Sequence, residues 1–555
     1  MVQRWLGACL SSHQTCDANV DISFMPSRVL EVTTTSSSSP GGGGGGMMFR
    51  LVTRKQVQQG ARYVTLSYCW GGPPSDPDFI LTRANLASLS SWQPVAALPR
   101  TFRDAFETTR RLGMRYLWID RFCILQDSVE DWKAEAASMR DVYGNTFLNI
   151  AALSARNDDG GCFFSRDPLD VRPGVVWLKR GKRKTSRPYV VQLEYTDGWR
   201  NSLGDEVLLE RGWVVQERLL SPRVVYFGRR QIFWECRAAN CCETHPASVF
   251  IQMTTDQDGQ VAFAEERTLF SHSEQQSRRW KQLSDTYLTQ PDADPVRQAF
   301  AEWRVIAGHY AGCRLTVASD RLVALSAVAR DMQLLLLREK GLDARYCAGI
   351  WACAMPFGLL WQTMGDASVC RAEYRAPSWS WASVDVGVTA ADEDGLSPVA
   401  TFLDVAIILA DEGNEVGQVT GGHVLIQGKL LRAVLDDTPG EETEMNERWR
   451  YITRLADPDD AGREIAQLAE EFRWNYASFD TVEDVRGEFL VLPIGVELRE
   501  NPREMCWVVK SLALDLIRDQ HGRLRRLGYV ELNLESREQL DAVLGAIEER
   551  RVELV

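Results

Sequence analysis

Two acidic residues, each close to an apolar run, are the best candidates for chemistry in this sequence. Asp120 ends the run MRYLWID, and Glu217 lies within VVQERLL. A carboxylate in a cleft stabilises an oxocarbenium-like centre and orients the attacking water, which is what hydrolysis of a glycosidic bond requires. We therefore predict Glu217 and Asp120 as catalytic residues. A structural alternative stays open for each: an ion pair at a helix surface for Glu217, and capping of the next turn or pairing with an arginine for Asp120.

A segment of small and aromatic residues, SYCWGG, follows a β-rich run that begins at Tyr63. Ligands of parallel α/β sheets bind beyond the carboxyl ends of the strands. If this strand and the strand that ends at Asp120 are neighbours, one crevice is lined by Ser67, Tyr68, Trp70, Gly71 and Gly72. Trp70 would stack on a flat ring, the glycines would admit a close backbone approach, and Asp120 would bind a ribose hydroxyl. The alternative is that Trp70 packs in the core.

The positions of histidine and cysteine limit other chemistries. No histidine lies between residues 14 and 244, so a Ser-His-Asp or Cys-His set cannot form within that part of the chain. The later segment WECRAANCCETHP holds Cys236, Cys241, Cys242 and His245. These residue types bind zinc, but the spacing C-x4-C-C-x2-H departs from common structural sites. We predict no metal site and no bound cofactor, with a zinc-dependent hydrolase at this cluster as a separate hypothesis.

The elements that must position these residues alternate between strand and helix. The patterns predict strands over 63–68, 114–120 and 146–151, with helices over 99–113 and 129–143 between them. Such alternation is typical of a parallel sheet with covering helices, so the predicted fold class is α/β. A helix over 212–220 and a hairpin over 223–236, turned at Gly228, follow.

Composition excludes several classes of protein. The 555 residues are 45% hydrophobic and 25% charged, which is ordinary for a globular protein and excludes a collagen, a coiled-coil rod and a wholly disordered chain. The net charge of −13 argues against nucleic acid as a partner. No secretory signal is visible at the N-terminus, so we expect reduced thiols and a cytoplasmic location. The uncharged stretch from Tyr346 to Gly365 contains Pro356 and polar residues, which favours buried core over a membrane span.

The remaining patterns predict the domain organisation. We expect a flexible N-terminus over 1–23, a first domain over 24–245 with a low-complexity loop at 33–46, a helical and mixed extension over 246–390, and a β-rich region over 391–555. A charged helical insertion near 441–473 and a last helix over 536–550 belong to the β-rich region. The alternating motif PSWSWAS predicts a strand with Trp379 and Trp381 on one face.

Several motifs occur in order between residues 63 and 221. They are YVTLSYCWG at 63–71, LPRTFRDA at 98–105, YLWID at 116–120, CILQD at 123–127, MRDVYGN at 139–145, GCFF at 161–164 and RGWVVQERLLS at 211–221. Together they resemble the fungal heterokaryon-incompatibility (HET) domain. The sequence departs from the family pattern at Arg121, Phe122, Thr146 and Asn149. Arg121 places a charge beside the predicted crevice.

The resemblance implies an intracellular role in self/non-self recognition after hyphal fusion, ending in programmed cell death. It also implies a core distantly similar to TIR and Rossmann-like folds, and some TIR domains hydrolyse NAD⁺ with a Glu in a cleft. Two hypotheses follow. In the first, the domain is an NAD glycohydrolase, with NAD as its substrate. In the second, it is a non-catalytic protein-interaction module in the same signalling, with other proteins and further copies of itself as partners.

Overall fold

The computed structural model of the chain divides into two compact units, Met1–Gln298 and Ala299–Val555. It describes residues 1–34, 46–72, 79–167, 174–179, 186–191, 206–244, 246, 252–255, 261–264, 280, 295–339, 341–364, 374–390, 395–435, 449–459, 464–467, 475–500, 505–545 and 547–555.

Strands of the described part of the first unit form one mixed sheet. Its nine strands are β1 Arg28–Thr34, β2 Met47–Thr53, β3 Tyr63–Ser67, β4 Gln93–Pro94, β5 Tyr116–Trp118, β6 Asn149–Ala151, β9 Arg223–Phe227, β10 Ile232–Cys236 and β11 Asn240–Cys242. Two hairpins stand outside it, β7 Gly174–Lys179 with β8 Ser186–Val191 and β12 Gln252–Thr255 with β13 Val261–Ala264. The sheet order is β11-β10-β9-β6-β3-β5-β1-β2-β4. The central strands β9, β6, β3 and β5 are parallel, which confirms the predicted α/β class with a parallel sheet.

The helices described in the first unit cover this sheet. They are α1 Val2–Ser12, α2 Leu86–Leu89, α3 Arg100–Arg111, α4 Asp120–Cys123, α5 Val129–Gly144 and α6 Gly212–Leu220. In α3, Phe102 and Phe106 share a buried face, and the chain turns after the helix at Gly113, whose φ is +74°. In α5, the Ser128 side chain caps the first turn by accepting from the Asp131 amide. Both helices therefore begin and end within two residues of the predicted bounds.

The order of the parallel strands creates a topological switch point. From β3 the chain passes through α3 to β5 on one side, and from β6 it continues to β9 on the other side. The neighbours β3 and β6 therefore send their connections in opposite directions. In open α/β sheets this arrangement opens a crevice at the carboxyl ends of the two strands. The residues that follow Ser67 and Ala151 lie at this edge.

The predicted loop at 33–46 joins two paired strands. Strands β1 and β2 are antiparallel, with Arg28 opposite Thr53 and Thr34 opposite Met47. The central part of the tract, residues 35–45, lies outside the described residues. The hairpin predicted over 223–236 is likewise present as β9 and β10, with Phe227 opposite Ile232.

A helix occupies about half of residues 1–23, for which the sequence predicts a flexible N-terminus. In α1, Trp5, Leu6 and Cys9 are buried. Their spacing along the chain places them on one helix face. The Trp5 ring lies 6.5 Å from the ring of Trp234 in β10, and its Nε1 donates to the Pro246 carbonyl at 2.9 Å. The apolar face of α1 thus makes residues 2–12 part of the folded unit.

In the second unit, the described part of residues 391–555 is β-rich, as predicted. The described helices of this unit are α7 Pro295–Ala311, whose first four residues belong to the first unit, α8 Ser326–Leu336 and α9 Arg537–Gly545. Its described strands are β14 Tyr346–Cys347, β15 Ile350–Trp351, β16 Trp361–Thr363, β17 Val388–Ala390, β18 Ser397–Pro398, β19 Thr401–Leu409, β20 Val419–Gly428, β21 Leu431–Leu435, β22 Trp449–Ala456, β23 Glu464–Gln467, β24 Tyr476–Phe479, β25 Glu488–Glu500, β26 Met505–Leu514, β27 Arg526–Leu534 and β28 Arg550–Leu554. The antiparallel strands β25, β21, β22, β24, β27 and β26 pair in that order, and β26 pairs back to β25, which closes a barrel.

Three local predictions for the second unit differ from the structure. Where 441–473 is described, it forms β22 and β23 instead of a helix. The last helix is followed by β28, which pairs with β20. The PSWSWAS motif forms a 3-10 turn at Trp381–Ser383 instead of a strand, because the Ser380 hydroxyl caps the turn by accepting from the Ala382 amide.

The uncharged stretch from Tyr346 to Gly365 folds into short elements where it is described. It supplies β14, β15 and β16, whose Trp351 and Trp361 side chains are buried. In the described ranges, no helix combines the length and apolar character needed to cross a bilayer.

Candidate functional site

Glu217 lies in a buried hydrogen-bond network at the carboxyl end of β3. Its Oε2 accepts a hydrogen bond from the Ser67 hydroxyl, and only 8% of the residue is exposed. The Asn149 amide donates to Ser67 Oγ at 2.9 Å, and Thr65 Oγ1 donates to Asn149 Oδ1 at 3.1 Å. Thr65 and Asn149 are register partners on adjacent parallel strands, so their side chains share one face of the sheet. Helix α6 brings Glu217 onto that face.

The environment of Glu217 favours the protonated carboxyl group. Burial raises its pKa from 4.5 to about 7. Hydrogen bonding from Ser67 and Tyr143 and the charge of Arg211 lower this pKa, while the negative charge of Asp120 raises it. Glu217 is therefore close to half ionised near neutral pH. A carboxyl group with a pKa near the working pH is suited to exchange protons in a reaction.

Trp70 and Asp120 meet at the same edge of the sheet. Trp70 Nε1 donates to Asp120 Oδ2 at 2.7 Å, and Asp120 Oδ1 accepts from the Arg121 amide at 2.6 Å. Both side chains are partly exposed. Strands β3 and β5 are parallel neighbours, which is the arrangement that the sequence predicts for a shared crevice. The charge of Asp120 is also close enough to affect the pKa of Glu217.

Tyr68 lies on the opposite face of the sheet from Ser67. Its ring packs edge-on against Phe102 of α3, with centroids 5.1 Å apart. Burial, reinforced by the charge of Asp120, holds its pKa well above the ordinary value. The structure thus places Tyr68 in the core beneath the crevice edge, with α3 and α6 on opposite faces of the sheet.

The two glycines of the predicted binding segment differ in their surroundings. Gly71 has a φ of +74°, and a Cβ there would come within 3.3 Å of Asn157 Cα. The small size of Gly71 therefore serves packing against the loop that follows β6. Gly72 has open space where a Cβ would stand, so it is the glycine of the pair that leaves room for a ligand.

A comparison with protein families identifies this region. The family model described as heterokaryon incompatibility protein (HET) matches residues 63–217. The chain therefore contains a HET domain. The match begins at the first residue of β3 and ends at Glu217, so it includes the whole network from Thr65 to Glu217. The HET domain supports a heterokaryon-incompatibility family role. No curated protein and no solved structure matches this chain.

Arg121 of the HET domain does not place its charge at the crevice edge. The residue is 0% exposed, and its guanidinium pairs with Asp158. A second nitrogen donates to the Trp70 carbonyl at 3.1 Å, and the guanidinium carbon lies 4.7 Å from the Trp70 ring centroid. The reason is that α4 turns the side chain inward, where an acid and an aromatic ring stabilise its charge. Arg121 therefore holds the segment that carries Trp70.

Three neighbours of Glu217 in the HET domain are not among the site residues predicted from the sequence. Asn149 orients Ser67, Tyr143 of α5 lies close enough to lower the pKa of Glu217, and Arg211 donates to the Tyr68 carbonyl. The sequence contains one indication of this network, since Asn149 and Thr146 both depart from the family pattern. Both side chains bond to Thr65 of β3, Thr146 at 3.3 Å. The two departures therefore belong to one buried network.

The cysteine segment after the HET domain forms part of the sheet where it is described. Cys241 and Cys242 are consecutive residues of β11, so their side chains point to opposite faces. Cys242 is buried in a cluster with Tyr226 and Phe233. Cys236 ends β10 and pairs with Arg223 in β9. His245 lies outside the described residues.

Proposed function

We propose that this chain acts in fungal self/non-self recognition and triggers regulated cell death by hydrolysing the N-glycosidic bond of a dinucleotide such as NAD⁺ in its HET domain. The observation that carries the proposal is Glu217, a buried carboxyl group with a pKa near 7 beside the carboxyl ends of β3 and β6. A structural ion pair at a helix surface is not its environment, since its carboxylate faces Ser67 in the interior.

The reaction consumes NAD⁺ and water and yields nicotinamide, ADP-ribose and a proton. The bond between C1′ of the ribose and the pyridinium nitrogen breaks, and its electron pair leaves with the neutral nicotinamide. The developing positive charge at C1′ is stabilised by an ionised carboxylate, and the same group accepts the proton of the attacking water. Because the leaving group is already cationic, no acid is needed to release it. Glu217 would therefore act in its ionised form.

The neighbouring side chains fit the remaining parts of such a substrate. Trp70 is partly exposed and offers an aromatic surface for a base. Asp120 holds the Trp70 indole through one oxygen, and its carboxylate has further lone pairs for ribose hydroxyls. Both lie at the edge that the switch point opens.

The burial of Glu217 adds a condition for activity. With 8% of the residue exposed and its carboxylate bonded to Ser67, a substrate reaches it only after the side chain or its cover moves. We propose that self-association of the chain supplies this movement, so that the monomer is the resting state.

The first experiment measures NAD⁺ consumption by the purified full-length chain. Products are separated by liquid chromatography, with and without a crowding agent, while light scattering records the oligomeric state. The native chain is expected to release nicotinamide and ADP-ribose in equal amounts when it is oligomeric. The variant Glu217→Gln is measured beside it, and Glu135→Gln is the matched control for that variant. Glu135 is also buried, has a raised pKa and bonds to a serine, but its carboxylate faces Arg28. A folded oligomer that leaves NAD⁺ intact would instead support a non-catalytic protein-interaction module.

The pH dependence of the reaction should follow the ionisation of Glu217. We expect kcat/KM to rise with pH, with a midpoint near the pKa of about 7, and to level off above it. The Ser67 hydrogen bond lowers this pKa, so Ser67→Ala should move the midpoint to higher pH. Thr108→Val removes a hydroxyl on α3 and should leave the midpoint in place. A rate that falls as pH rises through 7 would contradict the role of an ionised Glu217.

A further inference from the structure

Three cysteines and one histidine that are far apart in the sequence meet in the first unit. Cys9, His13, Cys16 and Cys236 each offer one metal-binding atom, and these atoms all lie within 4.8 Å of one another. The three cysteines are buried free thiols, and His13 is partly exposed. We propose that these four residues bind one structural Zn²⁺ ion.

The elements that carry the four residues bring them together from two directions. Cys9 lies near the end of α1, and His13 follows the helix with its amide bonded to the Cys9 carbonyl at 3.0 Å. Cys16 ends the 3-10 turn Gln14–Cys16. Cys236 is the last residue of β10. The contact between α1 and β10 through Trp5 and Trp234 holds the two halves of the site against each other.

The donor set matches the chemistry of zinc. Three thiolates and one imidazole form a Cys3His site, which is a common set for tetrahedral structural zinc. With Zn–S near 2.3 Å and Zn–N near 2.0–2.1 Å, a sulfur and a nitrogen ligand stand roughly 3.6 Å apart. Cys236 Sγ and His13 Nδ1 are 3.4 Å apart. Because all four positions are taken by protein atoms, the ion would have a structural role rather than a catalytic one.

Groups around the cluster are placed to stabilise thiolate charge. Arg223 Nε donates to Cys9 Sγ at 3.1 Å, and the Ala239 amide donates to Cys236 Sγ at 3.3 Å. Three thiolates around a divalent ion leave one negative charge, and the hydrogen bond from the buried Arg223 guanidinium stabilises it at Cys9. Asp17 fixes that guanidinium with two hydrogen bonds, at 3.0 and 2.8 Å.

This site differs from the cluster of Cys236, Cys241, Cys242 and His245 that the sequence offers. It shares Cys236 with that cluster, but takes its other ligands from residues 9–16 instead of residues 241–245. Those ligands precede the segment that matches the HET family model, and Cys236 follows it. The zinc ion would therefore tie the N-terminal helix to the hairpin that follows the HET match.

The test measures metal in the full-length protein, purified without a histidine tag and under reducing conditions. Elemental analysis is expected to find about one zinc per chain, as a closed four-ligand site requires. Cys16→Ser and His13→Gln should lose most of it, whereas His13→Cys keeps four ligands and should retain it. Cys242→Ser is the control, since that buried thiol belongs only to the other cluster. Cobalt exchanged into the native protein should give thiolate-to-metal charge-transfer bands and tetrahedral d–d bands.

The cobalt spectrum keeps the proposal falsifiable if a variant fails to fold. Reduced native protein that holds no stoichiometric zinc and gives no thiolate–cobalt bands would overturn the proposal. A disulfide between two of the three cysteines in protein purified without reductant, together with absence of metal, would overturn it as well. Loss of zinc in Cys242→Ser with retention in Cys16→Ser would assign the metal to the other cluster and reject this one.

Discussion

If the chain hydrolyses NAD⁺ as proposed, the Glu217→Gln variant is expected to lose that activity by a hundredfold or more, and yet to be more stable than the native chain at pH 8. The loss follows because a catalytic acid or base contributes about 10²–10⁴ in rate. The gain follows because burial raises the pKa of Glu217 from 4.5 to about 7. The folded state therefore binds this proton more tightly than the unfolded state does, and ionisation weakens the fold.

Because the folded state has the higher pKa at Glu217, the bound proton stabilises the fold at low pH and not at high pH. The favourable contribution of the protonated carboxyl is complete below pH 4.5, declines between 4.5 and about 7, and is lost above about 7. With about 1.4 kcal/mol for each tenfold change in proton affinity, the difference in unfolding free energy is about 3 kcal/mol. Glutamine keeps the shape of the side chain without the charge. The gain from Glu217→Gln should therefore be largest at pH 8 and small at pH 5.

Urea unfolding of both chains at pH 5 and pH 8 measures this difference. Glu107→Gln is a control whose effect on the unfolding free energy should have the opposite sign. Hydrogen bonding from Arg110 lowers the pKa of Glu107 to about 2, so loss of this carboxylate should weaken the fold slightly at both pH values. A Glu217→Gln chain that is less stable than the native chain at pH 8 would show that the carboxylate is stabilising. Retained hydrolysis in this folded variant would remove Glu217 from the mechanism.

Arg121→Met is expected to destabilise the first unit by about 3–5 kcal/mol, because it leaves a buried charge without its partner. Asp158 is 7% exposed, and its carboxylate pairs with the Arg121 guanidinium. The guanidinium also lies 5.5 Å from the Phe102 ring centroid and 4.7 Å from that of Trp70. Losing it should loosen the Trp70 segment as well, and urea unfolding monitored by tryptophan fluorescence measures the effect.

Two further variants show whether Arg121→Met loses stability because Asp158 is left unpaired or because packing around the side chain is lost. Arg103→Met, on the exposed side of α3, should change stability by about 0.5 kcal/mol or less. The double variant Arg121→Met with Asp158→Leu replaces the whole pair with apolar groups and should recover much of the lost stability. If the double variant is as unstable as Arg121→Met, the cost lies in packing around the side chain and not in the unpaired carboxylate.

Much of the HET domain could be predicted from the sequence, because its elements follow local periodicity. The buried face of α3, the bounds of α5, the strands β3, β5 and β6, and the β9–β10 hairpin lie close to where the apolar patterns place them. The meeting of Trp70 and Asp120 also follows, since it requires only that two parallel strands be neighbours.

Local pattern gave a wrong prediction where short-range hydrogen bonds or long-range packing competed with it. The alternation in PSWSWAS indicates a strand, but the Ser380 hydroxyl caps a 3-10 turn there. The first 23 residues are predicted to be flexible, yet α1 becomes ordered through the contact of Trp5 with Trp234. In both cases the deciding contact is one that a periodicity count does not include.

The sequence by itself determined the fold class, the strand–helix order and the crevice edge, since these depend on side-chain patterns within a few turns of chain. The tertiary structure decided the chemistry. Ser67 and Glu217 are 150 positions apart, and the high pKa of Glu217 arises from burial that no local pattern encodes. Likewise, His13 and Cys236 are 223 positions apart and meet because an apolar helix face packs on a hairpin. Burial and proximity across the chain are properties of the packed core, and they set both the proton affinity of Glu217 and the closeness of His13 to Cys236.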